Sequence, residues 1–205
     1  MAKTMTPSLM TDGQIEKIVD KFRAGMRKNR SGISSDVAQQ IVSVVDNLGR
    51  ELCEVVLDHA KRLKDYKIHR VKVDRSRPPQ EVLNATGRIL RIDPLAVESM
   101  PRGEGSETEI VFFKVHASNS CWISHDDLEK EYRLRGLKPV DAYSLADFNK
   151  ANPAFADGCC NYTHWKKGGQ WHSIAFHRWA GGRAVDVHSY SSSVNPHCYF
   201  AGMRK

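Results

Sequence analysis

Several features that would place the protein in a large, familiar class are missing from this sequence. No apolar run approaches the roughly 18 residues that a membrane-spanning helix needs, so no membrane association is expected. Residues 1–10 contain one lysine and no apolar core, so no signal peptide is expected either. These absences predict a cytoplasmic protein with reduced thiols. The five cysteines, an odd number, are Cys53, Cys121, Cys159, Cys160 and Cys198.

Motifs for cofactor and metal binding are also lacking. Residues 103–105 form a Gly-Glu-Gly fragment, but no Lys-Ser/Thr pair follows, and the neighbouring glutamates would repel a phosphate. There is no Cys-x2-Cys pair, and adjacent cysteines such as Cys159 and Cys160 cannot easily turn toward one metal ion. The sequence therefore predicts neither a cofactor nor a metal.

A short buried strand and the helix after it organise the middle of the chain. Residues 110–113 are continuously apolar, which predicts a strand covered on both faces. Ser124 is suited to cap a helix whose first turn is acidic, and Glu131 and Arg135 have the spacing of a helical ion pair. Gly136 then stands where a left-handed helix end is favoured.

The N-terminal third is predicted to be a helical hairpin. Thr11 and Gln14 match a capping box, and apolar residues then recur at helical spacing to Met26. A second capping box at Asp36 predicts a longer helix to about residue 65. The apolar stripe of this hairpin either docks on the rest of the chain or forms the seam of a homodimer.

These elements predict an α+β protein: an N-terminal antiparallel helical hairpin, a mixed α/β middle and a C-terminal antiparallel β-meander. The predicted parts are a flexible tail at 1–10, the hairpin at 11–66 and an α+β domain at 67–205. Within that domain a strand-helix core covers 67–157 and the meander covers 158–205, spaced by two diglycines.

Positive charge is concentrated in one segment. The formal net charge is +7, and residues 61–77 contain eight basic and two acidic side chains, which nearly accounts for it. Such a segment favours contact with nucleic acid or an acidic protein, although a solvated edge strand protected by its charges has the same pattern. The predicted nucleic-acid-binding residues are Lys61, Arg62, Lys64, Lys67, Arg70, Lys72, Arg75 and Arg77.

The last third is rich in cysteine, histidine and tryptophan. A cysteine nucleophile with a histidine base is one hypothesis for this region, and no single Cys/His pair stands out. A cleft in which a sugar or a base stacks on tryptophan is another, and the core of a small sheet is the third. The candidate cleft residues are Trp165, Trp171, Trp179, His164 and His172.

From about residue 68 to its end the chain resembles a group of small uncharacterised bacterial proteins from candidate-phyla genomes. The shared pieces are RVKV (70–73), ATGR (85–88), MPRGEG (100–105), DDLEKEY (126–132) with RGL (135–137), NPAFAD (152–157), THW (163–165) and FAG (200–202) with RK (204–205). The resemblance implies no activity, and the clustered cysteines are not part of the shared pattern.

The expected function is non-enzymatic binding, with the face at 61–77 engaging nucleic acid or an acidic protein largely independently of sequence. One alternative is an enzyme or small-ligand binder that uses the C-terminal sheet. The other is a structural oligomer joined through the helical hairpin.

Overall fold

The computed structural model describes residues 10–43, 45–64, 66–115, 122–179, 181–189 and 193–205. The chain divides into two units, Met1–Val56 and Leu57–Lys205. The first contains helices and the second contains the sheet.

Helices account for the described part of the first unit. They are α1 (Asp12–Lys28), a 3-10 turn (Arg30–Gly32), α2 (Ser35–Ser43) and α3 (Val45–Lys64), which continues into the second unit. At the predicted capping box the backbone N–H of Thr11 donates to Gln14 Oε1 at 2.9 Å. The long helix predicted from residue 36 corresponds to α2 and α3, with residue 44 between them outside the described residues. No residue of α1 is buried.

The second unit is organised by an eight-stranded mixed sheet in the order β1-β3-β10-β6-β7-β8-β2, with β5 paired to β10. Its strands are β1 (Lys67–Lys72), β2 (Ile89–Ile92), β3 (Glu107–Phe113), β5 (Leu137–Pro139), β6 (Asn161–Lys167), β7 (Gln170–Trp179), β8 (Gly182–Ser189) and β10 (Tyr199–Arg204), while β4 (Ile123–Ser124) and β9 (Ser193–Val194) form a separate pair. The helices are α4 (Pro79–Asn84), α5 (Pro94–Glu98), α6 (His125–Leu134) and α7 (Ala142–Ala151).

The last strand does not extend the hairpins in chain order. β6, β7 and β8 are consecutive antiparallel neighbours, whereas β10 lies between β3 and β6 and runs parallel to β6. Residues 67–157 and 158–205 therefore contribute to one sheet. Parallel neighbours such as β6 and β10 need a crossover connection between them. The composition of the individual strands does not predict such a connection.

Each face of the sheet has its own apolar core. One core gathers residues of α4, α5 and α7 with Ile110 and Phe112 of β3, and the other gathers residues of α6 with Val111 and Phe113. The run at 110–113 is thus buried on both faces, as its composition predicts. The protein belongs to the α+β class, as predicted. None of the helices within the described ranges is long and apolar enough to cross a membrane.

The expectation that all cysteines are reduced is wrong for two of them. Cys160 and Cys198 form a disulfide, with Cα atoms 4.7 Å apart. They precede β6 and β10, and the pairing of those two parallel strands brings them together. Cys159 is free, and its Sγ donates to the carbonyl of His197 at 2.8 Å.

Candidate ligand-binding crevice

A crevice opens where two parallel strands stop pairing. β6 and β10 pair only at Asn161 with Tyr199 and Tyr162 with Phe200, after which β10 pairs with β5 instead. Beyond that point Thr163 Oγ1 donates to the Val140 carbonyl at 2.7 Å. Crevices at the carboxyl ends of diverging parallel strands are preferred ligand sites in α/β sheets.

The crevice has a volume of about 580 Å³. Its lining combines indole rings with carboxylates and ammonium groups, a mixture that suits a polar ring compound. The lining residues are Pro101, Gly103, Glu104, Glu129, Lys138, Pro139, Val140, Asp141, His164, Trp165, Lys166, Trp171 and Met203.

A buried chain of polar side chains ends in this crevice. Glu129 of α6 lines it, and its Oε1 lies 3.0 Å from His164 Nε2. His164 Nδ1 in turn lies 2.8 Å from Nδ1 of His125, the first residue of α6. Both imidazoles are almost completely buried, at 1% exposure for His164 and 3% for His125.

The protonation states in this chain follow from its donors and acceptors. Burial lowers the pKa of His164, and the hydrogen bond from His164 lowers the pKa of Glu129. Glu129 is therefore an ionised acceptor, and His164 is neutral with its proton on Nε2. His164 Nδ1 must then accept, so His125 donates from Nδ1. The carboxylate and the two imidazoles therefore form a continuous hydrogen-bonded chain.

Trp171 completes this side of the crevice. Its indole is stacked on His164, with centroids 4.7 Å apart and planes at 19°, and on His125, at 5.0 Å and 13°. The ammonium group of Lys166, its cross-strand neighbour, lies 4.9 Å from the Trp171 ring centroid. The half-buried indole therefore supplies a fixed aromatic surface beside the Glu129 carboxylate.

The loop at 101–105 also contributes to the lining, through Pro101, Gly103 and Glu104, and Arg75 is hydrogen-bonded to this loop. Arg75 Nη1 donates to Asp141 Oδ1 at 2.7 Å, and its Nε donates to the Gly105 carbonyl at 2.7 Å. Gly103 has φ +70°, and a Cβ there would lie 2.4 Å from Asp141 Oδ2. The loop thus needs glycine at 103 and the guanidinium of Arg75 to keep its position.

The structure brings only some of the predicted cleft residues together. His164, Trp165 and Trp171 line the crevice. His172 is buried beside Trp165, and its Nδ1 lies 3.1 Å from Ser189 Oγ. Trp179 lies outside the crevice lining and is 58% exposed, with the guanidinium of Arg91 4.2 Å from its ring centroid.

The predicted basic face is divided by the fold. Lys61, Lys67, Arg70 and Lys72 are exposed, whereas Arg75 and Arg77 turn inward toward carboxylates. Arg77 Nη2 donates to Asp147 Oδ1 at 2.6 Å. The side chains of Arg62 and Lys64 lie outside the described residues.

On the outer face of β1 the cations stand opposite glutamates of β3. Arg70 Nε lies 3.6 Å from Glu109 Oε2, and Lys72 stands opposite Glu107 in the strand register. A carboxylate therefore faces each of these two cations across the strands.

Sequence reasoning missed Glu129 and His125. Glu129 has the spacing of a helical ion pair with Arg133, but its carboxylate is hydrogen-bonded to His164. The available signal was positional, because His125 and Glu129 are four residues apart and hence on one face of α6. Which strand that face meets depends on the sheet order.

Among the residues that the structure describes, no three His, Cys, Asp or Glu side chains are grouped so as to hold a metal ion. His125 and His164 are joined directly, by the hydrogen bond between their Nδ1 atoms. No protein-family model, curated protein or solved structure matches the chain.

Proposed function

We propose that the protein binds a small polar ring compound in the crevice. The observation that carries this proposal is the buried Glu129–His164–His125 chain, which reaches the crevice beside the indole of Trp171. Ordering several polar groups inside an apolar core costs free energy unless every partner is satisfied. The carboxylate at the open end of the chain keeps acceptor capacity for a ligand.

The lining limits the class of ligand. An indole favours a flat ring or the apolar face of a sugar, and Glu129 favours hydroxyl or amino donors at the ring edge. The ammonium groups of Lys138 and Lys166 complement acceptor atoms. A monosaccharide or a nucleoside meets all three conditions. The hydrogen bond from His164 holds Glu129 ionised, so its carboxylate can accept a hydrogen bond from a bound hydroxyl group.

The test uses panels of monosaccharides and nucleosides, with binding followed by thermal shift and isothermal titration calorimetry. A ligand that binds the wild type should lose affinity about tenfold in Trp171→Leu, because the stacking surface is removed. Glu129→Gln should weaken binding similarly, because a charged acceptor is replaced by an amide. Trp179→Leu is the matched control, since it removes an exposed indole outside the crevice lining.

Two results would overturn this function. One is binding that Trp171→Leu and Glu129→Gln leave unchanged, which would place the ligand elsewhere. The other is the absence of binding by every compound of both panels at millimolar concentration.

The exposed cations of the basic segment at 61–77 favour a second function. We propose that Lys61, Arg70 and Lys72 contact nucleic acid or an acidic protein, since the Arg70 side chain is 81% exposed. The contact would be electrostatic, so its affinity should fall as the salt concentration rises. It would also be weak, because glutamates already face two of these cations. Fluorescence anisotropy with single- and double-stranded DNA and RNA across a salt series tests it. Affinity that does not fall with salt would exclude phosphate contacts.

The apolar side of the N-terminal helices favours self-association. Apolar residues form a stripe along α1, and each of them is more than a third exposed. The predicted hairpin would bury this stripe against a second copy of the chain. Light scattering should then show a dimer for the wild type and a monomer for Phe22→Lys. A wild-type monomer at high concentration would remove this candidate. The stripe consists of Ile15, Ile18, Val19, Phe22 and Met26.

A further inference from the structure

Two ammonium groups converge on one tyrosine ring at an end of the sheet. Lys67 Nζ lies 4.4 Å from the centroid of Tyr199, and Lys114 Nζ lies 4.9 Å from the same centroid. Lys67 Nζ is also 5.4 Å from the centroid of Phe155, whose ring lies 5.9 Å from that of Tyr199. Both rings are half-buried, so part of each aromatic surface is open to solvent.

The strand register explains this convergence. Lys67 is opposite Phe112 in the β1–β3 pair, and Lys114 lies two residues beyond Phe112, so both point to the same face. Phe113 is opposite Phe200, which makes Lys114 and Tyr199 neighbours across the strands. Arg70 and Lys72 are three and five residues after Lys67 in β1. Because successive side chains of a strand point to opposite faces, both point to the face opposite that of Lys67.

Neither lysine has a carboxylate partner among the residues that the structure describes. Arg70, Arg75 and Arg77, from the same basic stretch, each lie within ion-pair distance of an aspartate or glutamate. Two like charges held beside one ring repel each other, and a bound anion relieves that repulsion. The pKa of His69, on the same face, is lowered chiefly by burial and further by the positive charge of Lys67.

We propose that Lys67, Lys114, Tyr199 and Phe155 form a binding site for single-stranded nucleic acid. The ammonium groups contact a phosphate, and an unstacked base packs against the exposed part of an aromatic ring. A duplex presents phosphates but no free base faces, so it satisfies only half of the site. This site is separate from the crevice, and it shares with the proposed outer-face contact of β1 only the class of ligand.

The test compares two double variants that remove the same number of charges from opposite faces. Lys67→Gln with Lys114→Gln removes the proposed site, and Arg70→Gln with Lys72→Gln removes the two cations proposed for the outer face of β1. The probe is a short fluorescein-labelled oligothymidylate, with anisotropy measured on the full chain across a salt series. Tyr199→Leu and Tyr199→Phe test the ring, and circular dichroism checks that each variant is folded.

The Lys67/Lys114 variant should bind about tenfold more weakly, and its salt dependence should fall by about 0.7 for each phosphate that is no longer neutralised. Tyr199→Leu should weaken binding similarly while keeping the salt dependence, and Tyr199→Phe should bind like the wild type. The Arg70/Lys72 variant should lose less affinity than the Lys67/Lys114 variant, because a glutamate already faces each of its two cations.

Three results would overturn the inference. If only the Arg70/Lys72 variant loses binding, the outer face of β1 is the site, and the proposed polyanion contact survives without this one. If duplex DNA of the same length binds as tightly as the single strand, base stacking has no part. If the wild type does not bind the probe even at low salt, the proposed single-strand site is wrong, whereas a contact of the outer face of β1 with duplex or acidic protein is untouched by that result.

Discussion

Replacement of Arg75 by methionine separates the structural cations of the basic segment from those at the surface. Arg75 is 13% exposed, and its ion-pair partner Asp141 is 8% exposed. Besides Asp141 and the Gly105 carbonyl, its Nη2 donates to Thr108 Oγ1 at 3.0 Å and to Ser144 Oγ at 3.1 Å. Methionine keeps the apolar stem of the side chain and removes every one of these donors.

The cost can be worked out from this geometry. Breaking a buried ion pair by removing one partner destabilises a protein by about 3–5 kcal/mol, because a charge is left buried without its partner. Here Asp141 retains hydrogen bonds from the Ser144 backbone N–H at 2.9 Å and from Ser144 Oγ at 2.7 Å. The lower end of the range, about 3 kcal/mol, is therefore expected.

Arg70→Met is the matched control. Its ion pair with Glu109 spans 3.6 Å between side chains that are 81% and 36% exposed, so its loss should cost less than about 0.5 kcal/mol.

Urea unfolding followed by tryptophan fluorescence is the assay. All four tryptophans lie in the sheet-containing unit, so the signal reports the part of the chain that Arg75 stabilises. The free energy of unfolding should fall by about 3 kcal/mol for Arg75→Met and hardly at all for Arg70→Met. Equal losses in the two variants, or a loss below about 1 kcal/mol for Arg75→Met, would refute the assignment of Arg75 to a buried ion pair.

Three further predictions concern other parts of the sheet-containing unit. Gly103→Ala should destabilise the unit by more than about 2 kcal/mol, because its Cβ would overlap a carboxylate. Gly105→Ala, with a similar φ of +74° and no atom closer to its Cβ than 3.8 Å, should cost only about 1 kcal/mol, and equal urea midpoints for the two variants would contradict this. Reduction of the Cys160–Cys198 disulfide with dithiothreitol should lower the free energy of unfolding by about 4 kcal/mol, because the bond closes a loop between cysteines 38 residues apart. An unchanged urea midpoint, in protein whose two thiols are shown by alkylation to be reduced, would contradict this. The pKa of Asp157 is lowered from 3.8 to about 2, chiefly by hydrogen bonds from an arginine. Its contribution to stability should therefore be complete above pH 3.8 and lost as the pH falls through 2. Asp157→Asn should flatten the acid limb of the curve of unfolding free energy against pH, and a parallel shift of the whole curve would argue against this prediction.

Local features of the chain were predictable because they depend on residues three to five positions apart. Ser124 Oγ accepts from the Asp127 backbone N–H at 3.1 Å, as its position before an acidic first turn predicts. The predicted pair of Glu131 and Arg135 is present, and Gly136 has φ +68°. Each feature is specified within one helix and its end, so no knowledge of the sheet is needed to expect it.

The distribution of charge along the chain did not predict where the charges lie in space. Arg70 and Arg75 belong to one basic segment, yet one is a surface residue and the other fixes the wall of the crevice. The chain leaves β1 after Lys72, so the alternation that places Arg70 outside no longer applies at Arg75. Its direction is set by Asp141, which is 66 residues later in the sequence.

The sequence by itself determined the α+β class, the caps at Thr11 and Ser124 and the run buried on both faces, because hydrophobic period and capping chemistry act over a few residues. Tertiary structure alone decided that β10 enters the sheet beside β6, and with it the crevice, the disulfide and the meeting of His125 with His164. The physical reason is that many strand orders bury the same apolar residues equally well. Contacts between distant polar side chains exist only in the order that the chain adopts.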